Sequence, residues 1–361
     1  MNLLETRIDL DAIAHNVRTM KALVGDAQLM CVVKADAYNH GVEQVVPVME
    51  AAGADSFAVA TFAEAEVVQA VSTLPVLAWL WVPGQVVPAG IEVAAPSIAH
   101  IRALVDASFT GCVHLKADTG MNRAGIDEQD WDEACALAAK AGLDVVGVMS
   151  HLACADDPSS GFTDTQVEAF CRAVDTARSH GLVVQRNHIA NSPAALSRPH
   201  LRCDQVRTGV ALYGLEPITG VDHGLRPAMS WVARVLAVKP VAAGEGVSYG
   251  LTWTAPVDGY TAVVSAGYAD GVARAWQDHL DIGVGGQLYP QVGRVCMDQI
   301  VIWLGANEFG VAAGDEAVIF GQGGISATEL ARRAGTINYE IVCAPSGRTV
   351  RTYITAGKER Q

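Results

Sequence analysis

The sequence predicts an α/β fold: a (β/α)₈ TIM-like barrel over residues 1–225, followed by a mainly-β C-terminal domain over residues 226–361. Three observations carry this expectation. Short apolar runs alternate with amphipathic ones from Leu29 to Leu215, and there are eight of the apolar kind, which is the number a barrel needs. After Leu225 the texture changes to alternating or β-branched runs cut by Gly-containing turns. The 361 residues, 50% hydrophobic and 18% charged, are enough for two cores and argue against wholesale disorder.

The elements follow in order. The stretch "LDAIAHNVRTMKALVG" is an amphipathic helix that can begin with an Asp cap. The candidate strands are "LMCVVKA", "SFAVA", "VLAWL", "IEVAA", "CVHLKAD", "VVGVMSH", "RNHIANS" and "QVRTGVAL". Between them lie helical patterns such as "GVEQVVPVMEAAG", "WDEACALAAKAG" and "DTQVEAFCRAVDTARSHG", several ending in Gly as helix C-caps do. The connection "VPGQVVPAG" is too short and Pro-rich for a good helix. The second domain is read from "WVARVLAVKPVAAGEGVSYG", "YTAVVSAGYADG", "LYPQVGRVCMDQIVIWLG" and "DEAVIFGQ".

A formal net charge of −14 disfavours nucleic acid or an anionic membrane as the partner, so an anionic ligand must be held by a local cluster of cations. The eight cysteines form no CxxC pair and no Cys/His cluster at zinc spacing, which predicts no metal and reduced thiols in a cytoplasmic protein. The N-terminus does not read as a signal peptide, and no apolar run has the roughly 20 residues of a membrane span.

Barrel active sites lie at the C-terminal ends of the strands. Those positions read Lys34, Thr61, Trp79, Pro96, Lys116 with Asp118, His151, Asn191 with Ser192, and Arg207 with Gly209. A lysine at a strand end is ordinarily solvated. One partly withdrawn from water becomes a nucleophile toward aldehydes, and pyridoxal 5′-phosphate (PLP) is the cofactor that uses such a lysine. PLP also needs a phosphate cradle and a partner for its ring nitrogen. Ser192 opens a short helix in "ANSPAAL", Gly209 allows close backbone approach, and Arg207 lies two residues before it.

Nine ordered motifs, "VVKADAYNHG", "HLKADTGMNRAG", "SHLACAD", "HIANSPAAL", "VRTGVALYGL", "GVSYG", "SAGYADG", "GRVCMDQ" and "INYEIVC", resemble those of the alanine racemases nearly end to end. The resemblance implies a PLP-dependent isomerase (EC 5.1.1.1) interconverting L- and D-alanine, which serves D-alanine biosynthesis for cell-wall precursors. It implies that Lys34 carries PLP and acts as one base. Tyr249 is then the opposing base, contributed in trans by the partner in a homodimer. Racemisation needs two such bases, because one proton leaves one face of Cα and another arrives on the reverse face.

Further roles come from the same resemblance. His151 hydrogen-bonds toward Tyr249 and Arg207, which helps a phenol whose ordinary pKa is about 10. Arg207 faces the pyridine nitrogen; because it stays protonated, it leaves that nitrogen unprotonated and weakens the ring as an electron sink. Tyr38, Ser192, Gly209 with Val210, and Tyr339 hold the phosphate. Arg123 and Met297 bind substrate, with Asn191, Tyr268 and Asp298 in support. Lys116 can be carbamylated, giving a carboxylate that positions Arg123; as a plain cation it would repel Arg123. The segment "SGRTVRTY" departs from the family pattern in lacking a Pro between its arginines.

Other readings stay open on the residues alone. A broad-specificity racemase, acting for example on serine, differs only in pocket volume. Barrel-type decarboxylases use an acidic group at the ring nitrogen and a Cys opposite the lysine, where this chain has Arg207 and Tyr249. Non-enzymatic PLP carriers lack a second domain.

Overall fold

The computed structural model describes residues 2–355 and 358–360. The chain forms two units, Ile13–Arg226 and a second made of Met1–Ala12 with Pro227–Gln361.

Strand β1 (Leu4–Asp9) leads into the helix Leu10–Val24. Asp9 caps that helix, its Oδ1 accepting the Ala12 N–H at 2.9 Å. The strands that follow are β2 (Gln28–Val32), β3 (Ser56–Val59), β4 (Val76–Ala78), β5 (Ile91–Ala95), β6 (Val113–Lys116), β7 (Val145–Met149) and β8 (Gln205–Thr208). They form one parallel sheet in the order β7-β6-β5-β4-β3-β2-β8. Leu29, Met30 and Cys31 have no exposed surface, as expected of a strand covered on both faces. The helices Val42–Ala52, Phe62–Gln69, Ile98–Asp106, Glu128–Ala141 and Phe162–Ser179 alternate with these strands.

The expected strand "RNHIANS" is not a strand. Its one ladder contact is an isolated bridge between Met149 and His188. The physical reason is Asn187, whose Oδ1 accepts the Val148 N–H at 3.0 Å in place of a backbone carbonyl. The irregular segment still spans the gap between β7 and β8. Val148 O accepts from His188 N–H at 3.0 Å, His188 O from Ser150 N–H at 3.2 Å, and Ala190 O from Arg207 N–H at 2.9 Å.

The second unit contains β9 (Met229–Val241), β10 (Gly246–Val247), β11 (Trp253–Thr254), β12 (Gly259–Val264), β13 (Asp281–Val284), β14 (Gln287–Val292), β15 (Ile300–Gly305), β16 (Glu316–Phe320), β17 (Val350–Thr355) and β18 (Lys358–Arg360). Its nine-stranded sheet runs β12-β15-β14-β13-β16-β9-β1-β17-β18, and β10 pairs with β11 alone. Strand β1 therefore belongs with the later residues, antiparallel to β9 and parallel to β17. A barrel domain beginning at residue 1 does not describe this, because strand pairing is a long-range choice that the first twelve residues do not announce.

Among the described residues no helix is long and apolar enough to cross a membrane, and no group of His, Cys, Asp and Glu side chains is placed to hold a metal ion.

Candidate active site

Parallel strands bring their C-terminal ends to one edge, so Lys34, Lys116, His151 and Gly209 emerge on the same side of the sheet. Lys34 follows β2 and heads a turn of unusual hand. Ala35, Asp36, Ala37, Tyr38 and Asn39 all have positive φ, between 53° and 65°. Five consecutive left-handed L-residues cost about 1–2 kcal/mol each, so other groups must hold them. Glu64 is one: Oε1 accepts the Ala35 N–H at 2.7 Å, while Oε2 accepts the Ala60 and Thr61 N–H groups at 2.8 and 2.9 Å. Asp36 is another, its Oδ1 accepting the Val42 N–H at 2.7 Å. The turn sets Lys34 Nζ 5.8 Å from the Tyr38 ring centroid and 5.9 Å from that of Trp79, within cation–π range.

The same turn brings Tyr38 to Gly209. A Cβ on Gly209 would stand 3.0 Å from Tyr38 Cζ and closer still to the phenol oxygen, so only glycine lets the phenol approach the backbone this closely. The Gly209 N–H donates to Ser192 Oγ at 2.9 Å. Ser192 begins the short helix Ser192–Ser197, whose cap is Asn191, with Oδ1 accepting the Ala194 N–H at 3.2 Å. Val210 follows Gly209 as the first residue of a 3₁₀ turn. Tyr38, Ser192, Gly209 and Val210 are thus brought together.

Cations crowd the remaining wall. Arg207 is buried and donates to neutral acceptors: His188 Nδ1, Ser150 O, His188 O at 2.9 Å and His151 Nδ1 at 3.3 Å. Burial lowers its pKa to about 10. Burial, then Arg207 and Arg123, lowers Lys116 to about 8. Burial, then Arg207, Arg123, Lys116 and Lys34, lowers His151 to about 3, so its imidazole is neutral. An arginine has no acceptor, so His151 Nδ1 accepts from Arg207 and its proton sits on Nε2.

Arg123 sits in a loop closed by Asp118 and Ile126. The Asp118 N–H donates to Ile126 O at 2.9 Å and the Ile126 N–H to Lys116 O at 2.8 Å. Gly125, at φ +144°, passes so close that a Cβ would meet the Asp118 nitrogen at 2.5 Å. Gln166 steadies the neighbouring segment, its Nε2 donating to His151 O at 3.0 Å.

The other expected residues belong to the second unit. Tyr249 is 70% exposed in a turn after β10, where Ser248 Oγ donates to Arg294 O at 3.0 Å. That bond ties the Tyr249 turn to the loop carrying Met297, which is also exposed. The Tyr268 N–H donates to Cys296 O and the Ala269 N–H to Met297 O, both at 3.0 Å. Asp298 accepts from Arg348 Nη1 at 2.8 Å, and the same guanidinium grips Asp270 through two bonds of 2.8 Å. Tyr339 lies half-buried in the helix Asn338–Cys343.

Comparison with known proteins decides what this arrangement is. The family model described as "Alanine racemase, N-terminal domain" matches residues 8–217, and "Alanine racemase, C-terminal domain" matches 228–353. The chain belongs to the alanine racemase family. An alanine racemase from Corynebacterium efficiens is 59% identical, the alignment covering 99% of this chain and 100% of that one. One from Mycolicibacterium smegmatis is 42% identical over 98% of this chain and 96% of its own. The crystal structure of alanine racemase from Corynebacterium glutamicum superposes with a TM-score of 0.90 at 49% identity, covering 98% of this chain and 100% of that one. That of the Bacillus anthracis enzyme with bound L-Ala-P gives 0.92 at 32% identity, covering 100% and 97%.

The family is one of PLP-dependent isomerases that interconvert L- and D-alanine, and the residues of this chain fit that cofactor. The Tyr38 phenol, the Ser192 hydroxyl and the Gly209 backbone, gathered at one point, are groups that suit a phosphate. Lys34, Arg123 and Arg207 supply the positive field that an anion needs in a chain of net charge −14. Sequence reading missed Glu64, although "TFAE" carries the Thr-x-x-Glu spacing of a capping box. It also missed Glu92, His114 and His188, which have no local signature.

Proposed function

We propose that in this chain the interconversion of L- and D-alanine runs through two bases, Lys34 on one face of the substrate Cα and Tyr249 on the other. The observation that carries the reading is the left-handed turn, which presents Lys34 beside the cradle of Tyr38, Ser192 and Gly209. When bound, PLP withdraws electrons from the substrate and makes its Cα proton removable.

The protein's own groups do the rest. Lys34 Nζ takes or returns the proton on its face, and Tyr249 Oη does so on the reverse face. Ser192 Oγ, the Gly209 and Val210 backbone, Tyr38 and Tyr339 hold the phosphate. Arg207, fixed by its carbonyl and imidazole acceptors, donates to the ring nitrogen and does not protonate it. His151, neutral with its proton on Nε2, passes a hydrogen bond from Arg207 toward Tyr249. Arg123 binds the substrate carboxylate, and Met297 closes the substrate end. Asn191 and Tyr268 support the cradle and the Met297 loop, and Asp298 fixes that loop through Arg348.

Tyr249, Tyr268 and Met297 are all exposed on the single chain, as is the neighbouring Leu251. Such a patch supports a homodimer in which each Tyr249 serves the partner's Lys34. Lys116, with a pKa of about 8, has enough neutral amine near that pH to add carbon dioxide; the resulting carbamate is the anion that would orient Arg123. All eight cysteines are free thiols, which supports a reducing, cytoplasmic setting.

Borohydride treatment of the PLP-loaded protein followed by peptide mapping should place the label on Lys34; label on another lysine rejects the assignment. A chiral assay across the amino acids should show alanine as the preferred substrate, and equal rates with serine would favour the broad-specificity alternative.

A further inference from the structure

Arg207 is a buried cation whose hydrogen-bond partners are all neutral. A buried charge is costly unless it is well hydrogen-bonded, so what orients those acceptors matters. His188 Nδ1 accepts from Arg207 Nη1. His188 Nε2 is 3.0 Å from His114 Nδ1, and His114 Nε2 is 3.0 Å from Glu92 Oε2. Both imidazoles are fully buried, and Glu92 is nearly so. Arg186 closes the far end, its Nη1 donating to the two Glu92 oxygens at 2.8 and 3.1 Å.

One proton arrangement satisfies every link. Arginine can only donate, so His188 Nδ1 must be bare and His188 carries its proton on Nε2. That proton points at His114 Nδ1, which must also be bare, and His114 donates from Nε2 to the carboxylate. Burial, reinforced by the nearby arginines, keeps both rings neutral. Burial works against the Glu92 carboxylate, but His114 and Arg186 outweigh it and hold it ionised. Gly147 makes room for the relay: a Cβ there would meet the Arg186 main chain and come 3.3 Å from His114 Nδ1.

We propose that Glu92, His114 and His188 are positioning residues for Arg207, a two-imidazole relay that orients the acceptor of its guanidinium and is anchored at its other end by the Glu92–Arg186 pair. A carboxylate touching the guanidinium would turn its donors away from the ligand and cancel its field. The relay fixes the guanidinium through a neutral acceptor and leaves its charge directed at the site. The consequence for catalysis rests on the role given to Arg207 above; the relay itself rests on the hydrogen bonds.

The test is nitrogen NMR of the full chain labelled at the histidine rings, recorded without PLP. His114 and His188 should both show bare Nδ1 and protonated Nε2 throughout the neutral range. A protonated Nδ1 on either ring, or an imidazolium, overturns the relay. In Glu92→Gln the His188 ring signals should move although residue 92 does not touch it; unmoved signals would mean that the links are not coupled. His188→Asn keeps an acceptor for Arg207 and should retain kcat within about tenfold, whereas His188→Leu should lose about a hundredfold. Equal kcat in the two variants overturns the positioning role. Arg207→Lys with unchanged kcat, but with the tautomers in order, would instead reject the role given to Arg207.

Discussion

Glu64 Oε1 accepts the backbone N–H of Ala35 at 2.7 Å, so a helix that follows β3 holds the turn that follows β2. This one carboxylate serves three backbone donors and joins the capping box of its own helix to the residue after the candidate catalytic lysine. Replacing Glu64 by Ala should cost about 2–3 kcal/mol of stability in a urea titration. It should also weaken PLP binding by more than tenfold, as read from absorbance. Thr61→Ala, which removes the cap alone, should cost about 1 kcal/mol and leave PLP affinity close to that of the parent.

Gly209→Ala probes the cradle. The added methyl group falls on the Tyr38 phenol, the far end of a side chain that can shift aside. The fold should survive, with circular dichroism unchanged, and the Kd for PLP should rise by at least about tenfold, or 1.4 kcal/mol. Unchanged affinity would mean that the phosphate lies elsewhere.

Tyr249→Phe keeps the ring of an exposed residue, so stability should stay within about 0.5 kcal/mol of the parent. Racemisation should fall by about 10²–10⁴ in both directions. Exchange of the Cα proton with deuterated solvent should persist for one enantiomer, because Lys34 still works its own face. Mixing Lys34→Ala with Tyr249→Ala chains tests the trans arrangement. Each is inactive alone, and random re-pairing of a C2 dimer should restore about a quarter of parental activity. No recovery would place Tyr249 in its own chain's site.

Lys116 should carry a carbamate when the protein is held above pH 8 with bicarbonate, because more than half its amine is then neutral. Native mass analysis should show the added carboxyl group, which acid or Lys116→Ala abolishes.

Stability of the PLP-free chain should fall on mild acidification. His151, His114 and His188 have pKa values below the unfolded value, that of His151 at about 3. The unfolded chain therefore binds more protons below about pH 6.5. Each histidine's contribution is intact above that pH and declines as pH falls toward its folded pKa. At pH 5 the loss is about 2 kcal/mol for each ring that is still neutral in the fold. A urea midpoint flat between pH 7 and pH 5 would contradict this.

Much of the site was legible in the sequence because it is written at strand ends. Lys34, His151 and Gly209 each stand one or two residues after a strand, Lys116 ends its own strand, and Arg207 lies within the last of them; parallel pairing is enough to gather them. The alternation of strand and helix is a short-range pattern of burial that each segment displays by itself. The left-handed turn was not legible: "KADAYN" has no glycine to announce positive φ, and its conformation depends on Glu64, thirty residues further on. Strand β1 joins the later unit, and Asn187 breaks the expected strand "RNHIANS", through partners that no local window contains.

The sequence by itself therefore determined the two-part fold class, the run of strand ends and the chemistry placed on them. Only the tertiary structure decided which strands close the sheet, how Lys34 is presented and what lies behind Arg207. His188 and His114 are separated by 74 residues, and a hydrogen bond between them exists only after the chain has folded around both. Periodicity records how each residue meets water, whereas a buried polar link records which residues meet each other.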